Sequence, residues 1–237
     1  MDVLMRLDEA RATTNVLEHR FYERWSAGAL DSAELSLYAD QYRHAVLALA
    51  QASARAAELA GDEHRDALRR HAAEEAEHVA LWDQFAAGAR ARADRAGDRS
   101  AVGSASSGVE AAASGDDNAA GALEPTRLCA TAWTQGEDLL EHLAVLYAIE
   151  ASQPQIAATK LKGLVEHYGY RPEGPAVEYF RLHERLDVEH ARQASQLIET
   201  LLTHCDEAPV AEARMLARAE RALRGNWELL SGVEASA

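Results

Sequence analysis

The chain is short of cysteine, proline and aromatic residues. Only Cys129 and Cys205 occur among its 237 residues. That excludes a disulfide framework and makes a reducing cytoplasm the expected compartment. There is no Cys-x-x-Cys zinc site, no phosphate-cradling glycine loop and no Gly-x-Ser-x-Gly elbow. The five prolines are sparse, and Ala, Leu, Glu and Arg dominate, a composition that favours an all-helical protein. Positive charge is in deficit: 24 Lys and Arg stand against 39 Asp and Glu, a formal net charge of −15. Such a surface repels nucleic acid and anionic membranes, so neither is an expected partner. No apolar run approaches the roughly 20 residues of a membrane span. The opening MDVLMRLDEARATT lacks a signal-peptide core. The length suits one domain, residues 1–237, with a sizeable core.

What is present is helical periodicity. A first helix is expected from about Asp8 to Trp25, and a second, capped by Asp31 or Ser32, up to Gly61. A third covers about Asp62 to Ala93. Residues 97–122 then hold 5 Gly, 5 Ser and 8 Ala, with no Leu, Ile or aromatic residue. This stretch reads as a disordered loop that cannot bury enough apolar surface to order itself. A helix from Pro125 to about Ser152 follows, then a shorter one from Pro154 to Gly169, one from about Ala176 to His204, and a last between Pro209 and Leu230.

Three of these helices carry ionisable groups on faces that should be apolar. On the third helix, which carries RRHAAEEAEHVALWDQF, Leu68, His71, Glu75, His78, Trp82 and Phe85 alternate steps of three and four. On the next helix, Glu150 continues the stripe of Leu139, Leu143 and Leu146, about 20° off its azimuth. In YFRLHERLDVEH, His183, Asp187 and His190 fall within roughly 60° of one another. Burying such groups unpaired costs several kcal/mol each. Two carboxylate-x-x-His pairs, Glu75/His78 and Asp187/His190, plus the lone Glu150, follow the ligand pattern of dimetal helical bundles, with His183 replacing a fourth carboxylate. Three carboxylates against two Fe(II) ions nearly balance the buried charge, and mixed imidazole and carboxylate ligands favour Fe or Mn over Ca or Mg. Glu74 is a rival to Glu75. His71 reads as a core histidine bonded to a neighbour, and Glu141, His142 and His167 as solvated or boundary residues.

The stretch from Leu146 to Tyr170 and YFRLHERLDVEH, together with EEAEHVALWDQF, resemble the haem-oxygenase-like dimetal oxidases, and within them the CADD-like para-aminobenzoate synthases. The resemblance implies an all-α, haem-oxygenase-like seven-helix bundle without haem. It implies two metal ions, iron or a manganese–iron pair, used with O₂ and an external reductant. It names Glu75, His78, Glu150, His183, Asp187 and His190 as ligands. In the CADD-like branch the first Glu sits where this chain has His71, so Glu74, Glu75 and His71 remain rivals there. The resemblance further implies a folate precursor made from the protein's own side chains. One tyrosine, matched by Tyr22 or Tyr38, gives the ring; Lys160, ten residues after Glu150, gives the nitrogen; Tyr179 matches a site tyrosine. The alternatives are an oxygenase acting on an external amino-acid-like or fatty-acid-like small molecule, a metal-free PqqC/TenA-like protein, and a helical binding protein. A homodimer is implied by the likeness alone.

Overall fold

The computed structural model describes residues 2–101 and 121–237, and no side chain of 98–101. Among the described residues the regular structure is helical throughout, with no strand. The helices are α1 (Val3–Thr13), α2 (Arg20–Ser26), α3 (Ser32–Leu59), α4 (Asp62–Ala101), α5 (Glu124–Thr134), α6 (Leu139–Glu150), α7 (Gln153–Glu166), α8 (Glu178–Thr203) and α9 (Ala208–Ser236). No helix among them is long and apolar enough to cross a membrane.

Two helices expected as single pieces are each broken, which turns seven expected segments into nine. The first break follows α1. Asn15 accepts from Leu17 N in a short 3₁₀ turn, Val16–Glu18, and His19 Nδ1 then accepts from Phe21 N to start α2. The second break separates α5 from α6, where Asp138 caps α6 by accepting from Glu141 N. Gly136 fits this bend because a Cβ there would lie 2.7 Å from the His142 ring. In both cases a side chain competes with the helix for backbone N–H groups. The α3 boundary is as expected: Asp31 accepts from Ala33 N and Glu34 N, and Glu34 accepts from Asp31 N. Helix α4 runs on past Ala93 to Ala101. Most of the Gly/Ser/Ala-rich stretch beyond it lies outside the described residues.

α3 pairs with α4, α6 lies against α8 and α9, and α7 rests on α8. α6 is buried from Glu141 to Leu146 and again from Ala148 to Glu150, as a helix apolar on nearly every side must be. The scarce aromatic residues are concentrated in the core: of the 4 Trp, 7 Tyr and 3 Phe, all but Tyr147, Tyr168 and Trp227 are buried. Glu141 and His142, read from the sequence as solvated or boundary residues, are buried at 2% and 0% exposure. Arg214 and Arg218 neutralise Glu141, each reaching it within about 3 Å.

One contact between helices bears directly on Lys160. Trp25 Nε1 donates to the Lys160 carbonyl at 3.2 Å, and the indole lies against Gly163 one turn later. A Cβ at Gly163 would fall 2.6 Å from the Trp25 ring. Alanine is the better helix former by about 1 kcal/mol, but overpacking a rigid core costs about 1–3 kcal/mol. Trp25 is fully buried and hydrogen-bonded, so the clash wins. Gly163→Ala should therefore destabilise the fold by up to about 2 kcal/mol and lower Tm by roughly 2–4 °C per kcal/mol. A thermal melt followed by circular dichroism reads this directly, and an unchanged or raised Tm would refute the close approach.

Candidate metal centre

Helices α4, α6 and α8 bring seven ionisable side chains into one buried cluster. α4 supplies His71, Glu75 and His78; α6 supplies Glu150, its last residue; α8 supplies His183, Asp187 and His190. None is more than 8% exposed. His71 Nε2 stands 2.9 Å from Glu150 Oε1, and His78 Nδ1 stands 3.1 Å from Glu75 Oε1. His190 Nδ1 lies 3.6 Å from Asp187 Oδ1 and 3.8 Å from Glu75 Oε1. The His71 and His190 rings are 4.2 Å apart by centroid, and those of His78 and His183 4.5 Å apart.

These atoms crowd together without hydrogen-bonding one another. His71 Nε2, Glu75 Oε1, His78 Nδ1, both oxygens of Glu150 and of Asp187, His183 Nε2 and His190 Nδ1 are all buried with no hydrogen-bond partner. Buried polar atoms left unpaired in such numbers are costly. Their geometry is that of donors aimed at common centres, and the donor set suits iron or manganese. One donor atom each from His71, Glu75, Glu150 and His190 lie within 4.8 Å of one another, as do those from Glu75, His78 and His183. Glu75 belongs to both groups.

The outward nitrogens of two histidines fix the tautomers. His183 Nδ1 lies 2.7 Å from the Tyr179 carbonyl, so Nδ1 carries the proton and Nε2 faces the cluster. His190 Nε2 lies 2.9 Å from Glu74 Oε2, so Nδ1 faces the cluster. Outer hydrogen bonds of this kind orient metal-binding imidazoles. Glu74, the sequence rival of Glu75, is thus a half-exposed partner of His190 on the outside of the cluster. His71, read as a core histidine, stands inside it. The signal was its position four residues before Glu75 on the same stripe.

Burial and charge oppose each other at five of these groups. Burial alone would lift the Glu75 carboxyl, but His78, His183 and His71 bring it below the usual carboxylate range. Burial outweighs the nearby histidines at Asp187 and raises its pKa. Burial likewise lowers His183. At His71 burial is overcome by Glu150, which raises the pKa. At His190 burial is overcome by Asp187, Glu150 and Glu74, and the pKa rises to about 9.

A second buried group lies next to this cluster. Lys160 is 1% exposed, and its Nζ sits 4.4 Å from the Tyr42 ring centroid. Tyr22, Tyr38, Trp82 and Phe180 surround it at 5.5–5.7 Å. Burial, as the sole cause, lowers its pKa to about 7. The Tyr22 and Tyr38 hydroxyls are 3.3 Å apart, and burial raises the pKa of both. Tyr179 stacks on His183 at 3.9 Å and meets Trp82 edge-on at 4.9 Å, so these two rings link the lysine cage to the cluster. On the other side, a 280 Å³ cavity between α4, α6 and α8 reaches His71 and His190 past Leu68, Leu143, Leu146 and Leu197.

The fold and its family follow from comparison. A TenA homologue from Pseudomonas syringae pv. tomato superposes with a TM-score of 0.74 at 15% identity, covering 98% of this chain and 91% of that one. A Shewanella denitrificans domain described as having a heme oxygenase-like fold gives 0.69 at 17% identity, covering 100% and 93%. The architecture is therefore the haem-oxygenase-like bundle. The family described as "Iron-containing redox enzyme" matches residues 36–227, and the chain belongs to it. Among curated relatives, the 4-aminobenzoate synthase of Chlamydia muridarum is 33% identical over 219 residues, covering 90% of this chain and 84% of its own. The 4-aminobenzoate synthase of Nitrosomonas europaea is 27% identical over 249 residues, covering 96% and 89%.

The raised pKa of His190 has a consequence for the metal-free protein. A histidine held above its unfolded value of 6.5 stabilises the fold fully below pH 6.5 and loses that contribution as pH rises through about 9. Lys160, whose pKa burial lowers to about 7, acts in the opposite sense over this window, so the test is a difference: the stabilisation of the metal-free parent over its His190→Gln variant should be larger at pH 6.5 than at pH 9. An equal difference in melting temperature at the two pH values would contradict the charge pairing described.

Proposed function

We propose that the chain is an O₂-dependent dimetal oxidase that makes 4-aminobenzoate, taking the ring from its own Tyr22 or Tyr38 and the nitrogen from Lys160. The observation that carries this reading is the aromatic cage around Lys160, which holds an amine of lowered pKa against tyrosine rings beside a buried donor cluster. The names of the curated relatives support the product.

The product has an amino group and a carboxyl group para to each other on one ring. A tyrosine ring already carries para substituents, its phenolic oxygen and Cβ. Conversion replaces the Cζ–O bond by Cζ–N with the phenolic oxygen leaving as water, breaks the Lys160 Nζ–Cε bond and the tyrosine Cα–Cβ bond, and oxidises Cβ to a carboxylate. Glu75, His78, Glu150, His183, Asp187 and His190 would hold two iron ions, or manganese and iron. With O₂ and an external reductant, that pair supplies the oxidising equivalents. The protein's own groups set the geometry. Lys160 is unprotonated in about half the molecules at pH 7, and a neutral amine is the nucleophilic form. Its backbone is fixed by the Trp25 hydrogen bond. Burial keeps the phenols of Tyr22 and Tyr38 protonated and excludes water from the cage.

The cavity at His71 and His190 favours a second reading, in which an external apolar small molecule is oxidised there. Intact mass separates the two. After anaerobic loading with Fe(II) and exposure to O₂ and reductant, the chain should lose mass, with the loss mapping to Tyr22 or Tyr38 and to Lys160. Yield should not exceed one product per chain. Unchanged mass with repeated release of 4-aminobenzoate would reject self-consumption.

Lys160 also gives a pH test. Single-turnover yield should climb as pH rises through about 7 and then level off, because deprotonation produces the reactive amine. Lys160→Arg should abolish product while leaving bound metal unchanged. Product formation by that variant would remove Lys160 from the reaction.

A further inference from the structure

We infer that His71 is a seventh metal donor, completing one half of the centre so that each half has two imidazoles and a share of Glu75. This rests on reading the cluster as a metal site and goes beyond the six ligands proposed above. One half comprises His78 and His183 with Glu75. Without His71, the other half has a single imidazole, His190, beside Glu150 and the shared Glu75; Asp187, 3.6 Å from His190 Nδ1, belongs to neither group.

Five observations support His71 as a member of that half. Its Nε2 is 2.9 Å from Glu150 Oε1 and 3.9 Å from Glu75 Oε1. His71 and Glu150 form a close ion pair when His71 is protonated, yet neither His71 Nε2 nor Glu150 Oε1 has a well-directed hydrogen bond, so the pair alone leaves both atoms poorly satisfied. The ring packs 4.2 Å from that of His190, as two imidazoles converging on one centre would. The donor atoms of His71, Glu75, Glu150 and His190 form a group within 4.8 Å, which meets the spacing of a single ion's ligands. His71 and His190 both line the cavity between α4, α6 and α8, so this is the half that the cavity reaches.

The chemistry predicts two ions bound with comparable strength. Removing one of three private donors should weaken one ion selectively. Anaerobic titration of the full metal-free chain with Co(II), read by equilibrium dialysis, should give two tight ions per chain. His71→Ala and His71→Gln should each keep one tight ion and weaken the second by about tenfold or more, the scale on which even outer-sphere partners act. Circular dichroism checks that the variants fold. Independently of any variant, proton NMR of the Co(II)-loaded parent chain should show four hyperfine-shifted imidazole sets. Three sets, or two tight ions of unchanged affinity in the His71 variants, would overturn the assignment of His71 and leave the six-ligand site standing. A parent chain with no tight Co(II) would overturn the metal reading itself, and this inference with it.

Discussion

The structure depends on a cost: four imidazoles and three carboxylates are taken out of water within one layer of helices. Isolated charges in such surroundings are penalised by several kcal/mol each, and pairs recover this only with good geometry and full hydrogen bonding. Here the geometry is close but the hydrogen bonds are missing. Protons on His71 and His190 offset part of the carboxylate charge. They leave the lone pairs of Glu150, Asp187 and His183 unanswered. Metal binding would release those protons and satisfy the lone pairs together, which couples occupancy to fold stability. The cluster is therefore poorly explained as a structural core and well explained as a cation site.

The surrounding helices keep that cost from disrupting the fold. α6 is apolar on nearly all sides and ends at Glu150, so the carboxylate is delivered at the tip of a rigid, buried rod. Pro154 then opens α7, whose start turns the chain so that Lys160 and Gly163 meet Trp25. α8 sets His183, Asp187 and His190 on one face and fastens His183 through the Tyr179 carbonyl. Precision at the cluster comes from helices packed on both sides rather than from loops, the arrangement that holds a site within narrow tolerances.

Helical periodicity made much of this legible in the sequence, and its limits are equally physical. The repeat of 3.6 residues is long-range and robust, so the faces carrying His71, Glu75 and His78, and His183, Asp187 and His190, could be read before any coordinates. Glu150 stood out because it ends a leucine stripe. Which helices face each other is not encoded in any one of them, and the reason to place His71 beside Glu75, and not instead of it, came only when α6 brought Glu150 within 2.9 Å. The breaks at Asn15 and Asp138 were hidden because single side-chain caps make them, in segments whose propensities stay helical. His142 and Glu141 were misjudged for a related reason. Glu141 is paired by Arg214 and Arg218 from α9, about 75 residues away in the chain, and the His142 ring packs against Gly136 in the bend before α6.

Lys160 shows how competing effects set a chemical state. The faces of five aromatic rings favour an ammonium ion, and each exposed contact of this kind is worth about 0.5–1 kcal/mol. Complete removal from water disfavours the same ion, and here no carboxylate intervenes. Burial dominates, since the pKa falls to about 7 instead of rising. An enzyme that must admit a free substrate to such an amine needs an opening to it, and an opening would restore water and the charge. A protein whose reacting ring and amine are both its own has no such need. On that reading the cage could stay closed with about half of the amine neutral at pH 7, and only oxidant and reductant would have to reach the centre, from the side where His71 and His190 meet the cavity.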